Sequence, residues 1–252
     1  MQTRGEKTTL RYWEEVHSTQ PRFRLPSGLL VSTRNLQRLL KTYIQPQMRV
    51  LEIGCAPAKQ LAWVAKTLGA KVSGVDYSEP GIEFSRRLFE SLGIDGDLRC
   101  EDIFSTTFSP GSFDFVYSVG VIEHFDDATW IVRQHVILLK PGSIALIIVP
   151  NYHDTYGKLQ NYFDPGNLSI HNLDIMTCRT LTQLIPTDLT REAMAFRAGR
   201  LDPWLINFHK KWPRLFAKVA FYFFNGIGVL QPVDISALCP WLVLKLIRSK
   251  ST

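Results

Sequence analysis

Between Met48 and Asn151 the chain alternates short β-branched runs with stretches whose apolar residues recur every three or four positions. Arg49–Ile53, Lys71–Asp76, Asp97–Cys100, Phe113–Val119 and Ile144–Pro150 read as strands, and Ala58–Leu68, Glu79–Leu92 and Thr129–Leu139 as helices. Ile144–Pro150 is almost pure Ile, Leu, Val and Ala, the composition of a strand buried on both faces. Such alternation predicts an α/β fold, a doubly wound and mostly parallel sheet with helices on both faces.

The flanks read differently. Residues 1–47 are polar and aromatic, broken at Pro21 and Pro26, with a helical run from Ser32 to Tyr43 that aligns Leu36, Leu39 and Leu40; they are expected to form an N-terminal helical cap. After the alternating region, residues 151–188 are dense in Asn, Asp, His and Tyr and too long for a plain connection, which suggests a cover over an active site. Leu189–Ala198 reads as a late strand, Pro203–Val229 as an aromatic, basic helix, and Trp241–Ile247 as a final strand, expected antiparallel. The expected organisation is a cap (1–47), a core (48–200) carrying the cover 151–188, and an extension (201–252) that returns the last strand to the same domain.

A length of 252 residues and 45% hydrophobic composition suit one large domain. Cys55, Cys100, Cys178 and Cys239 are scattered, which argues against a disulfide framework or a zinc site and for a reducing cytoplasm. The N-terminus lacks the apolar core of a signal peptide. Leu215 to Leu230 comes nearest to a membrane span but is interrupted by Lys218, Asn225 and two glycines. Charge changes the picture of the extension. From Arg200 to Thr252 eight Lys/Arg face only Asp202 and Asp234, so the whole net charge of +6 sits in the last fifth of the chain. Together with Trp204, Phe208, Trp212 and Phe216 these cations suit either peripheral contact with an anionic membrane face, or with a lipid-linked or phosphorylated acceptor, through 203–230, or equally a helix pair that covers the sheet and leaves a solvated basic face. No nucleic-acid-binding module accompanies the charge, so nucleic acid is not expected as a partner; the oligomeric state is left open.

Candidate chemistry sits at the strand ends. Val50-Leu51-Glu52-Ile53-Gly54-Cys55-Ala56-Pro57-Ala58 runs from a strand through an acid and a glycine into small residues and a helix. Ligands of open parallel sheets bind beyond the carboxyl ends of strands, where glycine permits close backbone approach. Val72-Ser73-Gly74-Val75-Asp76 ends the second strand in an acid suited to ribose hydroxyls, and Asp102 follows the third strand. Val121-Ile122-Glu123-His124 follows the fourth, and Leu138-Leu139-Lys140-Pro141-Gly142-Ser143 reads as a helix end and turn feeding the fifth. A dinucleotide enzyme would need G-x-G-x-x-G, whereas this chain has Gly54-Cys55-Ala56-Pro57-Ala58-Lys59, and Pro57 lacks the N–H that a phosphate would use.

These elements, over residues 45–151, resemble the Rossmann-like class I S-adenosylmethionine-dependent methyltransferases, and more narrowly the small-molecule branch with ubiquinone- and glycan-pathway methylases. The resemblance implies S-adenosylmethionine as cofactor, with Glu52 and Gly54 at its methionine end, Asp76 on the ribose and Asp102 at the adenine amino group. Cys55, Ala56, Tyr77, Ile103 and Val119 complete the expected contacts. Ala56 and Ala58 stand where the family prefers glycine.

The function this implies is methyl transfer to a small-molecule acceptor, a hydroxyl oxygen first of all. The alternatives are nitrogen or carbon methylation, or a catalytically silent domain of the same fold. A hydroxyl acceptor needs a base, and His124 at the strand edge and His171 in the cover are the candidates. His153, Asp154, His171 and Asp174 lack tight metal-ligand spacing, so no metal is expected.

Overall fold

A computed structural model describes residues 5–18 and 23–250 of the chain. Its seven strands are β1 (Arg49–Ile53), β2 (Lys71–Asp76), β3 (Gly96–Cys100), β4 (Phe113–Val119), β5 (Leu139–Pro150), β6 (Thr190–Ala198) and β7 (Trp241–Arg248). They form one sheet in the order β3-β2-β1-β4-β5-β7-β6. β1 to β5 pair in parallel, whereas β7 is antiparallel to both β5 and β6. The strand order reverses between β1 and β4, so a crevice opens beyond their carboxyl ends.

The period-2 alternation of the strands divides the core in two. Leu51, Ile53, Val116, Ala145, Ile147 and Leu244 pack against α5 (Thr129–Leu138) and α8 (Cys178–Gln183) through Ile131, Val136 and Leu181. Val50, Val72, Phe115, Leu146 and Val243 face the other way, toward Leu40 of α2 (Val31–Tyr43), Leu61 of α3 (Lys59–Leu68) and Leu88 of α4 (Glu79–Leu92). Strands buried on both faces are what the continuous apolar runs demanded.

The remaining helices are α1 (Leu10–Ser18), α6 (Thr155–Phe163), α7 (Pro165–Ser169) and α9 (Arg214–Leu230). Several boundaries differ from the sequence expectation, three of them for a local reason. α3 begins at Lys59 because Ala58 takes a left-handed conformation, φ 50°, as its N-cap. β5 begins at Leu139, its register with β4 slipping between Phe113 and Phe115 as Lys140–Ser143 bulge around Gly142. The helix expected over Pro203–Val229 is instead two 3₁₀ turns, Pro203–Leu205 and Phe208–Lys210, followed by α9. Pro213 disfavours helical backbone at Trp212, and Asp202 caps the first turn at the Trp204 N–H (3.0 Å).

Candidate active site

Three loops at the reversal point build the site. Gly54, at φ +68°, directly follows β1, and a Cβ there would lie 2.5 Å from Val121 Cγ2 of the loop after β4, so only glycine fits. Its N–H and that of Cys55 donate to Val75 O of β2 (2.9 and 3.2 Å), which fixes the loop on the neighbouring strand. Asp76 then accepts from Ala56 N–H at Oδ2 (3.0 Å) and from Ser78 N–H at Oδ1 (2.9 Å). Burial raises its pKa, with those N–H groups pulling the other way. Of the two acids after β3, Glu101 is engaged by Thr106 and Thr107. Asp102 is exposed and uses Oδ1 on the Phe104 N–H (2.9 Å).

These loops bound a cavity of about 470 Å³. Gly54, Ala56, Asp76, Tyr77, Asp102, Ile103, Val119 and His124 line it. Glu52 and Cys55 do not. Cys55 is buried in the core among Leu61 and Val72, where burial pushes its thiol pKa up. Glu52 is wholly buried, its carboxyl pushed up to about 8 by burial against the pull of the Tyr117 hydroxyl and the Leu61 N–H, and its Oε2 has no hydrogen-bond partner.

One wall comes from residues the sequence reading did not single out. α1 places Trp13 and His17 over the cavity, and Trp13 Nε1–H donates to Thr8 Oγ1 (3.0 Å). His17 Nδ1 meets Ser78 Oγ (3.0 Å), two residues beyond Asp76 in the same loop. The strand bridge Glu6–Phe125, the bond Lys7 N–H to His124 O (2.8 Å) and the pair Lys7–Asp126 (2.9 Å) fasten this segment to the loop after β4. The only advance signal was the aromatic pair at i and i+4 on one helix face.

His124 and His171 come together, their ring centroids 4.9 Å apart, although His171 itself does not line the cavity. His124 Nδ1–H donates to Ile170 O (2.9 Å) and His171 Nδ1–H to Asn167 O (2.6 Å), so each ring keeps its Nε2 lone pair. Burial lowers the His124 pKa to about 4, the neighbouring His171 adding to it. His135 is the contrast: both its nitrogens are satisfied, by Ile131 O and Ser118 Oγ, which marks it as a core residue. The sequence group His153, Asp154, His171 and Asp174 does not assemble. His153 pairs with Asp154, which also binds Arg197, at the surface. Among the described residues the cluster that does form is Glu123, His124 and His171.

Residues 51–147 match the family described as methyltransferase domain. The chain is 27% identical over 143 residues to methyltransferase GfsG of Streptomyces halstedii, covering 55% of this chain and 50% of that protein. It is 26% identical over 190 residues to a ubiquinone biosynthesis O-methyltransferase of Coxiella burnetii, covering 73% and 80%. The solved structure of Haemonchus contortus phosphoethanolamine N-methyltransferase 2 superposes with TM-score 0.59 at 18% identity, covering 87% of this chain and 52% of that one. The chain carries a class I S-adenosylmethionine-dependent methyltransferase domain. It spans about half the length of several curated relatives that it matches.

The cavity fits the family's cofactor. Among its described lining residues Glu6, Asp76, Glu101 and Asp102 are acidic and none is Lys or Arg, which favours a cationic sulfonium and offers nothing to a diphosphate. Bound S-adenosylmethionine supplies an electrophilic methyl group. Asp76 would hold its ribose, Asp102 its adenine edge, and the glycine loop after β1 its amino-acid end.

The extension carries a second surface. Leu215, Phe216, Val219, Tyr222, Phe223 and Leu230 are each more than 60% exposed, a single helical stripe of α9 turned to solvent. The opposite face, with Ala217, Ala220 and Phe224, packs on Phe163 and Phe208, and Gly228 lets the helix sit against Leu201 O. No described helix is long and apolar enough to cross a membrane.

Proposed function

We propose that the chain transfers the methyl group of S-adenosylmethionine to a hydroxyl oxygen of a small amphiphilic acceptor met at an anionic membrane surface. His124 carries the chemical half of this reading: a neutral, oriented imidazole in the wall of the cofactor cavity, backed by His171 and Glu123. As the acceptor oxygen bonds to the methyl carbon, the carbon–sulfur bond breaks, S-adenosylhomocysteine leaves as a neutral thioether, and the hydroxyl proton passes to the His124–His171 pair.

The exposed stripe carries the membrane half. Six large apolar side chains on one helix face exceed the scatter expected of a soluble surface, and Lys210, Lys211, Arg214 and Lys218 beside them complement anionic headgroups. A cavity of about 310 Å³ next to it, lined by Tyr156, Leu159, Phe163, Phe208 and Trp212, is suited to an apolar chain.

The deciding experiment assays His124→Ala on a panel of hydroxylated acceptors. S-adenosylhomocysteine affinity is expected within a few-fold of wild type while turnover drops about 10²- to 10⁴-fold. Undiminished turnover, or methylation confined to nitrogen or carbon acceptors, would refute the reading.

A further inference from the structure

Glu123, His124 and His171 each offer a ligand atom, and these atoms all lie within 4.8 Å of one another. The chemistry of the trio is one-sided. Each imidazole commits its Nδ1–H to a backbone carbonyl, Ile170 O or Asn167 O, which turns a lone pair at Nε2 outward from that bond. The Glu123 carboxyl is wholly buried, and its Oε2 has no hydrogen-bond partner. A buried carboxyl oxygen without a hydrogen-bond partner thus lies beside two imidazoles whose Nδ1–H groups are already committed, an arrangement that buried polar groups rarely leave unresolved.

The surroundings hold the three in place. Asn172 N–H donates to Glu123 O (2.6 Å), and the Asn172 side-chain amide donates to Phe125 O and Asp126 O (2.9 and 3.0 Å). The loop after β4 is thus clamped to the segment that carries His171. Trp13 lies edge-on to the His124 ring (5.1 Å) and Tyr152 edge-on to His171 (5.3 Å), which fixes the ring planes. A histidine whose other nitrogen is anchored on a carbonyl is the common setting of a metal ligand.

We propose that Glu123, His124 and His171 bind one divalent transition-metal cation, with its open coordination positions facing the cofactor cavity. Two imidazoles and one carboxylate suit zinc, cobalt, manganese or ferrous iron better than magnesium or calcium. The site revises the expectation of no metal, because its ligands lie on two segments 47 residues apart and two of them, Glu123 and His124, stand outside the group His153, Asp154, His171 and Asp174. The proposal rests on the methyl-transfer reading only for its catalytic consequence: a cation on these lone pairs would acidify the acceptor hydroxyl, whose proton would then pass to water instead of to His124.

The test uses the full chain, stripped with chelator and dialysed. Calorimetric titration with Zn²⁺, and titration with Co²⁺ followed by its visible spectrum, should show one saturable site per chain. Glu123→Gln and His171→Gln should each weaken it at least tenfold, with S-adenosylhomocysteine binding and the far-UV spectrum retained. Absence of saturable binding at millimolar metal, or unchanged affinity in both variants, would overturn the site. Methyl transfer should vanish on chelation and return with the cation; full turnover in stripped protein would overturn the catalytic consequence and leave the His124 base reading standing. A chain that methylates no acceptor under either condition would fail the functional reading, while the binding titrations would still decide the site.

Discussion

Gly54, Ala56, Asp76 and Asp102 each stand no more than three residues beyond the end of a strand, whereas Trp13, His17 and His124 reach the same cavity from two separate segments, with His171 of a third packed against His124. On the first side the sheet itself does the positioning: β1 and β2 share a ladder, so the loop after one and the acid ending the other are placed once the strands pair. The second side depends on a few long-range bonds, Lys7 to His124, His17 to Ser78 and Asn172 to Glu123. The wall proposed for the cofactor, here the cofactor wall, is therefore set by the pairing of the sheet, and the wall proposed for the acceptor is an assembly that can fail piecewise.

The largest expected effect falls on both walls at once. A chain ending at Asp202 lacks β7, which lies between β5 and β6. It should show no cooperative thermal unfolding by circular dichroism. A truncated chain that folds and binds S-adenosylhomocysteine would show that the cofactor wall stands without the extension.

Asp76→Ala separates the walls. Two charge-assisted hydrogen bonds to ribose are worth about 2–3 kcal/mol, so calorimetry should find S-adenosylmethionine bound about 30- to 150-fold more weakly. Wild-type affinity would remove Asp76 from the cofactor wall. Charge reversal far from either wall, Lys210→Glu with Lys211→Glu, should cut sedimentation with anionic vesicles at least tenfold at low salt, at about 1 kcal/mol per lysine lost, and leave cofactor affinity unchanged. Equal sedimentation would confine the exposed stripe of α9 to some other role.

The effect that is smallest per pH unit reads the layer beneath the glycine loop. Glu52 keeps its proton to about pH 8 when folded but releases it near pH 4.5 when unfolded. Unfolding thus releases a proton between those values, and stability falls as pH rises through that window, by about 1.4 kcal/mol per pH unit for this group. Glu52→Gln should flatten the decline by one proton, measured from denaturant midpoints between pH 5 and 8. An unaltered slope would mean that Glu52 is not the group held protonated.

What could be read ahead of the structure follows the same division. The sheet, its parallel ladders and the antiparallel β7 announce themselves because apolar runs and strand-end acids are contiguous in sequence. The meeting of His124 with His171, and the placing of α1 over the cavity, depend on pairings across 46 residues or more that no local pattern encodes. Glu52 and Cys55 err in the other direction. Their place in the motif suggests a surface at the cavity, yet the alternation of β1 sends Glu52 beneath the loop, and Cys55 turns into the core beside Gly74. Gly74 has room for no side chain there, since its Cβ would fall 2.6 Å from Cys55 Sγ.

The place of β7 between β5 and β6 also sets an order of events at birth. β5 is complete once Pro150 is added, yet the strand that covers its outer edge begins only at Trp241. At ordinary translation rates that edge waits roughly 5–20 s, and β6 emerges in the interval with no partner on the side it will finally use. A nascent chain in this state offers Ile147, Ile148 and Val149 as an unpaired apolar edge, the kind of surface that recruits other strands. Yield in a heterologous host should accordingly respond to chaperone supply and growth temperature more than to the stability of the finished fold.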